Sequence, residues 1–205
     1  FDIVNRARAA EDGKAFRVFR YDLDEVYEEC LEKLDRFDEL KAHLWDRFEQ
    51  ILSERSLRKY LQLLPDFDDI EAEEKALGLA ETHPHLGAAI GFLVGWPSHE
   101  RAARVVTARA DELDGNAYHM LSTAADALQA RYPLAATLMR RAMIQDSLDG
   151  GKAKRYRYAA RHLAECQSSE QVIDDHGGFP AHDQFVAALR QKHGRKHGFW
   201  QLVEG

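Results

Sequence analysis

Apolar residues return every three or four positions along most of this chain, the spacing of helices that each bury one face. Leu23, Val26, Tyr27, Cys30, Leu31 and Leu34 fall at i, i+3, i+4, i+7, i+8 and i+11. Asp22, Asp24 and Glu25 open that segment, where the helix dipole favours anions. A second stripe runs through Phe37, Leu40, Ala42, Leu44, Trp45, Phe48, Ile51 and Leu52. Ser53 is the expected cap of a short helix through Leu57, Tyr60, Leu61 and Leu64, which Pro65 ends.

Seven further helical stretches follow. Ala72, Ala76, Leu79 and Ala80 mark one, and residues 86–96 form a short apolar one closed by Pro97. Ser98 is predicted to cap the next, with Ala102, Val105, Val106 and Leu113 inward. Asn116 is predicted to cap another, built on Leu121, Ala124, Ala125 and Leu128. Leu134, Ala135, Leu138, Met139 and Ala142 continue the pattern until Gly150-Gly151, and Tyr156, Ala159, Ala160 and Leu163 resume it. Ser168-Ser169-Glu170-Gln171 reads as a capping box, and Pro180 as the first residue of a last helix through His182, Phe185, Val186 and Leu189. Phe199, Trp200, Leu202 and Val203 finish the chain.

No alternating run rivals these stripes, so no strands are predicted. The least regular part is residues 1–20, a helical fragment followed by a break at Gly13 and a weak alternation through Phe16, Val18 and Phe19. The expected organisation is therefore a separate segment 1–20 and one helical domain 21–205.

The chain also echoes itself. Arg101-Ala102-Ala103-Arg104-Val105-Val106 aligns with Leu134-Ala135-Ala136-Thr137-Leu138-Met139 at an offset of 33, and the Ala124-Ala125 and Ala159-Ala160 pairs align at 35. Offsets in this range belong to tandem helix–turn–helix repeats, whose hairpins bury their stripes by stacking. The predicted fold is all-α, with stacked antiparallel hairpins as in an α-solenoid or tetratricopeptide-like array.

Charge divides the chain. Of its 205 residues, 1–98 carry 13 Lys and Arg against 22 Asp and Glu, and 99–205 carry 15 against 13. The acidic front half disfavours nucleic acid there, because phosphates are repelled. The two cysteines, Cys30 and Cys166, form no disulfide framework and point to a reducing, cytoplasmic setting. The longest apolar stretch, residues 86–96, is too short to span a bilayer.

Several motifs together resemble an uncharacterised bacterial family of all-helical proteins. They are Tyr60-Leu61-Gln62-Leu63-Leu64-Pro65-Asp66-Phe67-Asp68-Asp69; Arg131-Tyr132-Pro133-Leu134-Ala135-Ala136-Thr137-Leu138; Lys154-Arg155-Tyr156 with Ala159-Ala160-Arg161-His162-Leu163; Gly177-Gly178-Phe179-Pro180; and His193-Gly194-Arg195-Lys196 with Phe199-Trp200. The likeness spans residues 45–203 and leaves the first twenty residues out. It implies tetratricopeptide-like hairpins and no activity.

Lys154, Arg157, Tyr158 and Arg161 share one face at i, i+3, i+4 and i+7, opposite Tyr156, Ala159, Ala160 and Leu163. Cations around a ring on an exposed face suit an acidic peptide or a phosphate. Arg195, Lys196 and Trp200 repeat the theme near the C-terminus. His193 and His197 have helical spacing for two metal ligands, but no third ligand or Glu accompanies them. His83, His85 and His99, and the run Asp174-Asp175-His176, suit a small hydrolytic or metal site but have no nucleophile at motif spacing, while His162 and Cys166, at i and i+4, have the spacing of a ligand pair and read as packing residues. Asp66, Asp68, Asp69 and Glu71 fit a helix start without a metal. Gly87, Gly91 and Gly95 recur on one face and predict a close helix crossing there.

No phosphate-binding loop, nucleophile elbow, dinucleotide fingerprint or paired C-x-x-C occurs. The sequence reading is a non-enzymatic scaffold that binds a protein or peptide partner, with no cofactor and no membrane span. The alternatives are a nucleic-acid accessory protein using the basic face, and a metal-dependent hydrolase around the histidines.

Overall fold

The computed structural model describes residues 21–205, with only the backbone of Tyr21 and Asp22. The expectations for residues 1–20 lie outside the described residues. The chain divides into two compact units, Phe1–Ala76 and Leu77–Gly205. Every described element is helical, and no strand occurs among the described residues.

In the first unit, α1 (Tyr21–Lys33) packs on α2 (Phe37–Ile51), and α2 on α3 (Glu54–Gln62). Leu31, Leu40 and Leu44 form its fully buried centre, flanked by Tyr27, Tyr60 and Leu63. Leu52 leaves α2 in the left-handed conformation, and Ser53 caps α3 as predicted, its Oγ accepting from the Ser56 N–H at 3.2 Å.

The stripe predicted for α1 is only partly used. Leu31 is buried, but Val26 is 46% and Leu34 53% exposed. An ionic seam turns the helix. Asp24, Glu28 and Glu32 repeat every fourth residue, and each meets a cation from α2 or α3. Buried Glu28 lies 3.0 Å from Lys59 and 3.5 Å from Arg55, Glu32 lies 2.7 Å from Lys59, and Asp24 pairs with Arg47. A buried carboxylate must be paired, so this seam outweighs two aliphatic side chains.

α4 (Asp68–Thr82) begins in the first unit and ends in the second. Just before it, Phe67 adopts φ +76°, which costs an aromatic residue roughly 1–2 kcal/mol.

The second unit continues with α5 (Leu86–Gly95), α6 (His99–Ala108), α7 (Tyr118–Leu128), α8 (Pro133–Asp149), α9 (Tyr156–Glu170), α10 (His182–His193) and α11 (His197–Glu204). α5 packs on α6 and α7, α6 and α7 on α8, α8 on α9, and α9 on α10 and α11. α8 is buried along most of its surface, with Gln145 and Asp149 exposed. Eleven of its 17 residues are buried, Arg140 and Arg141 among them. The aligned segments both face inward: Ala102, Ala103, Val105 and Val106 are buried, as are Ala135, Ala136, Leu138 and Met139. A core of Ile144, Leu148, Leu163, Cys166, Phe185 and Phe199 joins α8 to α9, α10 and α11.

Local capping differs from expectation at several ends. Ser98 precedes α6 without a side-chain cap bond, because its φ, ψ of −91°, 57° is not extended. Asn116 does not cap α7; its Oδ1 instead accepts from Lys152 at 3.0 Å and Arg155 at 3.2 Å. Ser168 and Ser169 lie inside the last turn of α9, where their hydroxyls donate to the Ala164 and Glu165 carbonyls. α10 begins two residues after Pro180. Its first amide, His182 N–H, is satisfied from α9 by Glu170 Oε1 at 3.0 Å. The Pro180 carbonyl instead accepts from buried Arg141 at 2.6 Å.

The glycine stripe of α5 makes no close crossing. Gly87, Gly91 and Gly95 are exposed, because the helix turns Leu86, Ala89, Ile90, Phe92 and Leu93 inward. The close approach lies at Gly115, buried against the Ala142 carbonyl of α8.

Candidate functional site

A short 3-10 turn, Ala153–Arg155, leads into α9. Asp146 of α8 ties it down, accepting from Lys152 at 2.8 Å and from Arg155 at 3.3 Å. Beyond that tie the chain presents the predicted cationic face. Lys154 is exposed and forms no ion pair among the described residues. Arg157 donates to the Tyr158 hydroxyl and lies over its ring, 4.5 Å from the centroid. That hydrogen bond holds the Tyr158 hydroxyl below its ordinary pKa and the guanidinium above its own. Arg161 lies 5.9 Å from the same ring and 3.3 Å from Glu165 Oε1.

Beneath this face runs a polar chain absent from the sequence expectation. Tyr118 meets Tyr158 edge-on, with centroids 6.0 Å apart, and its hydroxyl lies 2.6 Å from His162 Nε2. His162 Nδ1 lies 2.8 Å from Glu165 Oε2. A carboxylate only accepts, so Nδ1 carries the ring proton and Nε2 accepts from Tyr118. Burial pushes His162 below its ordinary value, outweighing the attraction of Glu165 for a charged ring. Burial likewise raises Tyr118.

Fully buried Arg140 closes the chain. Its Nη2 donates to Asp126 at 3.0 Å and Gln129 at 2.9 Å. Its Nε lies 2.9 Å from Glu165 Oε2, but the N–H is not aimed along that line, so this contact is Coulombic. The signal in sequence was the i, i+3 pair His162 and Glu165. Tyr118 and Arg140 enter from other helices, 44 and 25 positions from those partners.

A hydroxyl, an imidazole and a carboxylate in line have the order of a nucleophile, its base and the group that orients the base. The adjoining cleft, about 350 Å³, is lined by Gln129, Arg161, Ala164, Glu165, Ser168 and Val172, and it reaches neither Tyr118 nor His162. Val172 at its edge is 62% exposed. A second cleft of about 400 Å³ adjoins Val172 from the other side, between Arg104, Arg131, Tyr132 and Asp174.

The other sequence candidates are placed differently. Trp200 is 5% exposed, with its indole N–H donating to the His193 carbonyl at 2.9 Å and Arg190 4.2 Å above the ring. It docks α11 and offers nothing to a partner, because a large aromatic ring beside Phe199 is worth most inside the core. Arg195 is exposed, and the Lys196 ammonium sits beside Gly151, where a methyl group would come within 3.7 Å. Residues 194–196 end α10 and start α11, so His193 and His197 do not share one helix.

His83 Nδ1 accepts from the His85 amide at 3.2 Å in a tight turn. His176 pairs with Glu170, while Asp175 holds the Gly177 amide. His162 and Cys166 face different partners, the latter's Sγ directed at the Thr137 carbonyl. Among the described residues, no three of His, Cys, Asp or Glu converge to hold a metal ion. No described helix is long and apolar enough to cross a membrane.

The fold and site define an all-α protein whose distinctive chemistry is a supported cationic–aromatic surface. The chain belongs to a family of unknown function, DUF6880, whose family model matches residues 2–202. The match takes in residues 2–20, which the motif resemblance had left outside. No curated protein and no solved structure is matched by the chain.

Proposed function

We propose that this protein is a non-enzymatic interaction scaffold whose cationic face on α9 receives an acidic segment of a protein partner. One observation carries the reading. Lys154 and Arg157 face solvent without a carboxylate partner among the described residues, while Arg155 and Lys152 beside them are neutralised by Asp146. Unspent cations held on a rigid helix suit carboxylates. The aligned, inward-facing stripes of α6 and α8, and of α7 and α9, support reading the second unit as tandem hairpins of tetratricopeptide-like character.

A protein segment fits better than nucleic acid using the same face with Arg195 and Lys196. Arg157 already covers the Tyr158 ring, which leaves a base little to stack on. A reducing, cytoplasmic setting belongs to the same reading, since Cys30 and Cys166 stand as free thiols.

The test is the triple variant Lys154→Glu, Arg157→Glu, Arg161→Glu, titrated against a fluorescein-labelled peptide rich in Asp and Glu. Exposed ion pairs contribute about 0.2–1 kcal/mol each, and reversal adds repulsion, so affinity should fall at least about tenfold. Circular dichroism should show the same helical content. Unchanged affinity in the triple variant would refute the assignment.

A further inference from the structure

The chain itself displays a segment with the chemistry this face requires. Phe67 is 82% and Ile70 64% exposed, side by side at the start of α4. Around them Asp66, Asp68, Asp69 and Glu71 are all exposed, and none forms an ion pair among the described residues. Two large apolar side chains inside a ring of unspent carboxylates are unusual on a free surface; buried apolar anchors with a charged rim are the usual composition of an interface.

The second unit carries the converse set. Lys154 and Arg157 are unspent, Arg161 borders the 350 Å³ cleft, and exposed Val172 and Ala164 give that cleft an apolar wall. Each surface lacks what the other presents.

We infer that the acidic segment received by the α9 face includes residues 66–71 of a second copy, so that the chain associates head to tail. This rests on the scaffold reading above and names its partner. Phe67 and Ile70 would cover the apolar wall beside Val172, while the flanking carboxylates meet Lys154, Arg157 and Arg161. The contact joins two different surfaces, so it is heterologous: each copy keeps one free surface of each kind, and growth continues until a ring closes.

Light scattering of the full chain after size exclusion, over rising concentration, tests this. The weight-average mass should climb above the 23.4 kDa of one chain. Phe67→Asp should hold it at the single-chain mass, and so should the paired change Arg157→Glu, Arg161→Glu. Asp tolerates the left-handed backbone at position 67 better than Phe, so that variant keeps the fold. Ile70→Lys is the second variant, at a site equally open to solvent.

Mixing is decisive. The Phe67→Asp chain retains its cationic face and the Arg→Glu chain retains its acidic knob, so an equal mixture should yield a complex of twice the single-chain mass. A single-chain mass at every concentration overturns the inference, as does assembly that survives in either variant or a mixture that stays monomeric. A chain that is monomeric yet binds the acidic peptide loses this inference and keeps the scaffold reading. A chain that does neither loses both.

Discussion

Replacing Gly115 by Ala tests the packing on which the second unit turns. Gly115 is buried in the loop before α7, under α8. A Cβ there would lie 2.1 Å from the Ala142 carbonyl oxygen, 2.6 Å from its carbon and 2.7 Å from Asp146 Cβ. Two of these three atoms are backbone, and α8 is enclosed by α6, α7 and α9, so no side chain can swing aside to make room. Either the loop or α8 must move by about 1 Å, and Asp146 would carry with it the Lys152 and Arg155 contacts that hold the entry to α9. Overpacking usually costs about 1–3 kcal/mol, and a backbone clash on this scale belongs at or beyond the top of that range. Urea unfolding followed by circular dichroism should show a lower midpoint with an unchanged slope. Gly91→Ala is the matched control: it lies inside exposed α5 surface with no atom within 4 Å of the added methyl. It should stabilise by up to about 1 kcal/mol, the helix-propensity difference alone. A loss of less than about 1 kcal/mol at Gly115 would refute the argument.

Three further outcomes follow from the polar groups. Arg140→Ala removes the buried guanidinium shared by Asp126, Gln129 and Glu165, and because the two carboxylates reach water the loss should be about 1.5–3 kcal/mol; Arg140→Met with Glu165→Gln should cost clearly less, and equal losses would count against a charge-based explanation. His162 titrates below the ordinary 6.5 when folded, so the unfolded chain takes up that proton first. Its contribution is intact above pH 6.5 and is lost as pH falls toward the folded value, with His182 and His193 acting in the same direction. His162→Gln should flatten the fall in stability below pH 6.5 in thermal melts, and an unaltered slope would contradict the assignment. Burial pushes the Cys166 thiol up to about 12, so a maleimide reagent at neutral pH should label half-buried Cys30 first and Cys166 only on unfolding; comparable native rates would be inconsistent with the packing around Cys166.

The helices were legible because their stripes report burial directly, and α8 shows where that signal changes form. With eleven of its 17 residues buried it keeps little polar face, so its boundaries came from Pro133 and Gly150 rather than from periodicity. The rotation of α1 was not legible. Six apolar residues outnumber the acidic repeat Asp24, Glu28 and Glu32, and only the cations of α2 and α3 draw Glu28 into the core beside Leu31. Caps at Ser98 and Asn116 were misread because local capping chemistry competes with tertiary partners, and Lys152 with Arg155 claims Asn116. Of the site, Lys154, Arg157, Tyr158 and Arg161 were legible as one face because they lie within two turns. Arg140 and Tyr118 were not, since nothing local marks which distant side chain will pair with His162 and Glu165. Trp200 was misassigned because an aromatic residue near a chain end carries the same composition signal whether it binds a partner or closes a core.

The enclosure of α8 makes it a built-in reporter. The amides of its buried residues, Met139, Arg140 and Met143 among them, are covered by the helices around it, so their hydrogen–deuterium exchange reports opening of the second unit. Anything that binds only the folded form raises that opening free energy by mass action, wherever on the unit it docks. Slowed exchange along α8 would therefore register a true partner before its contact surface is known.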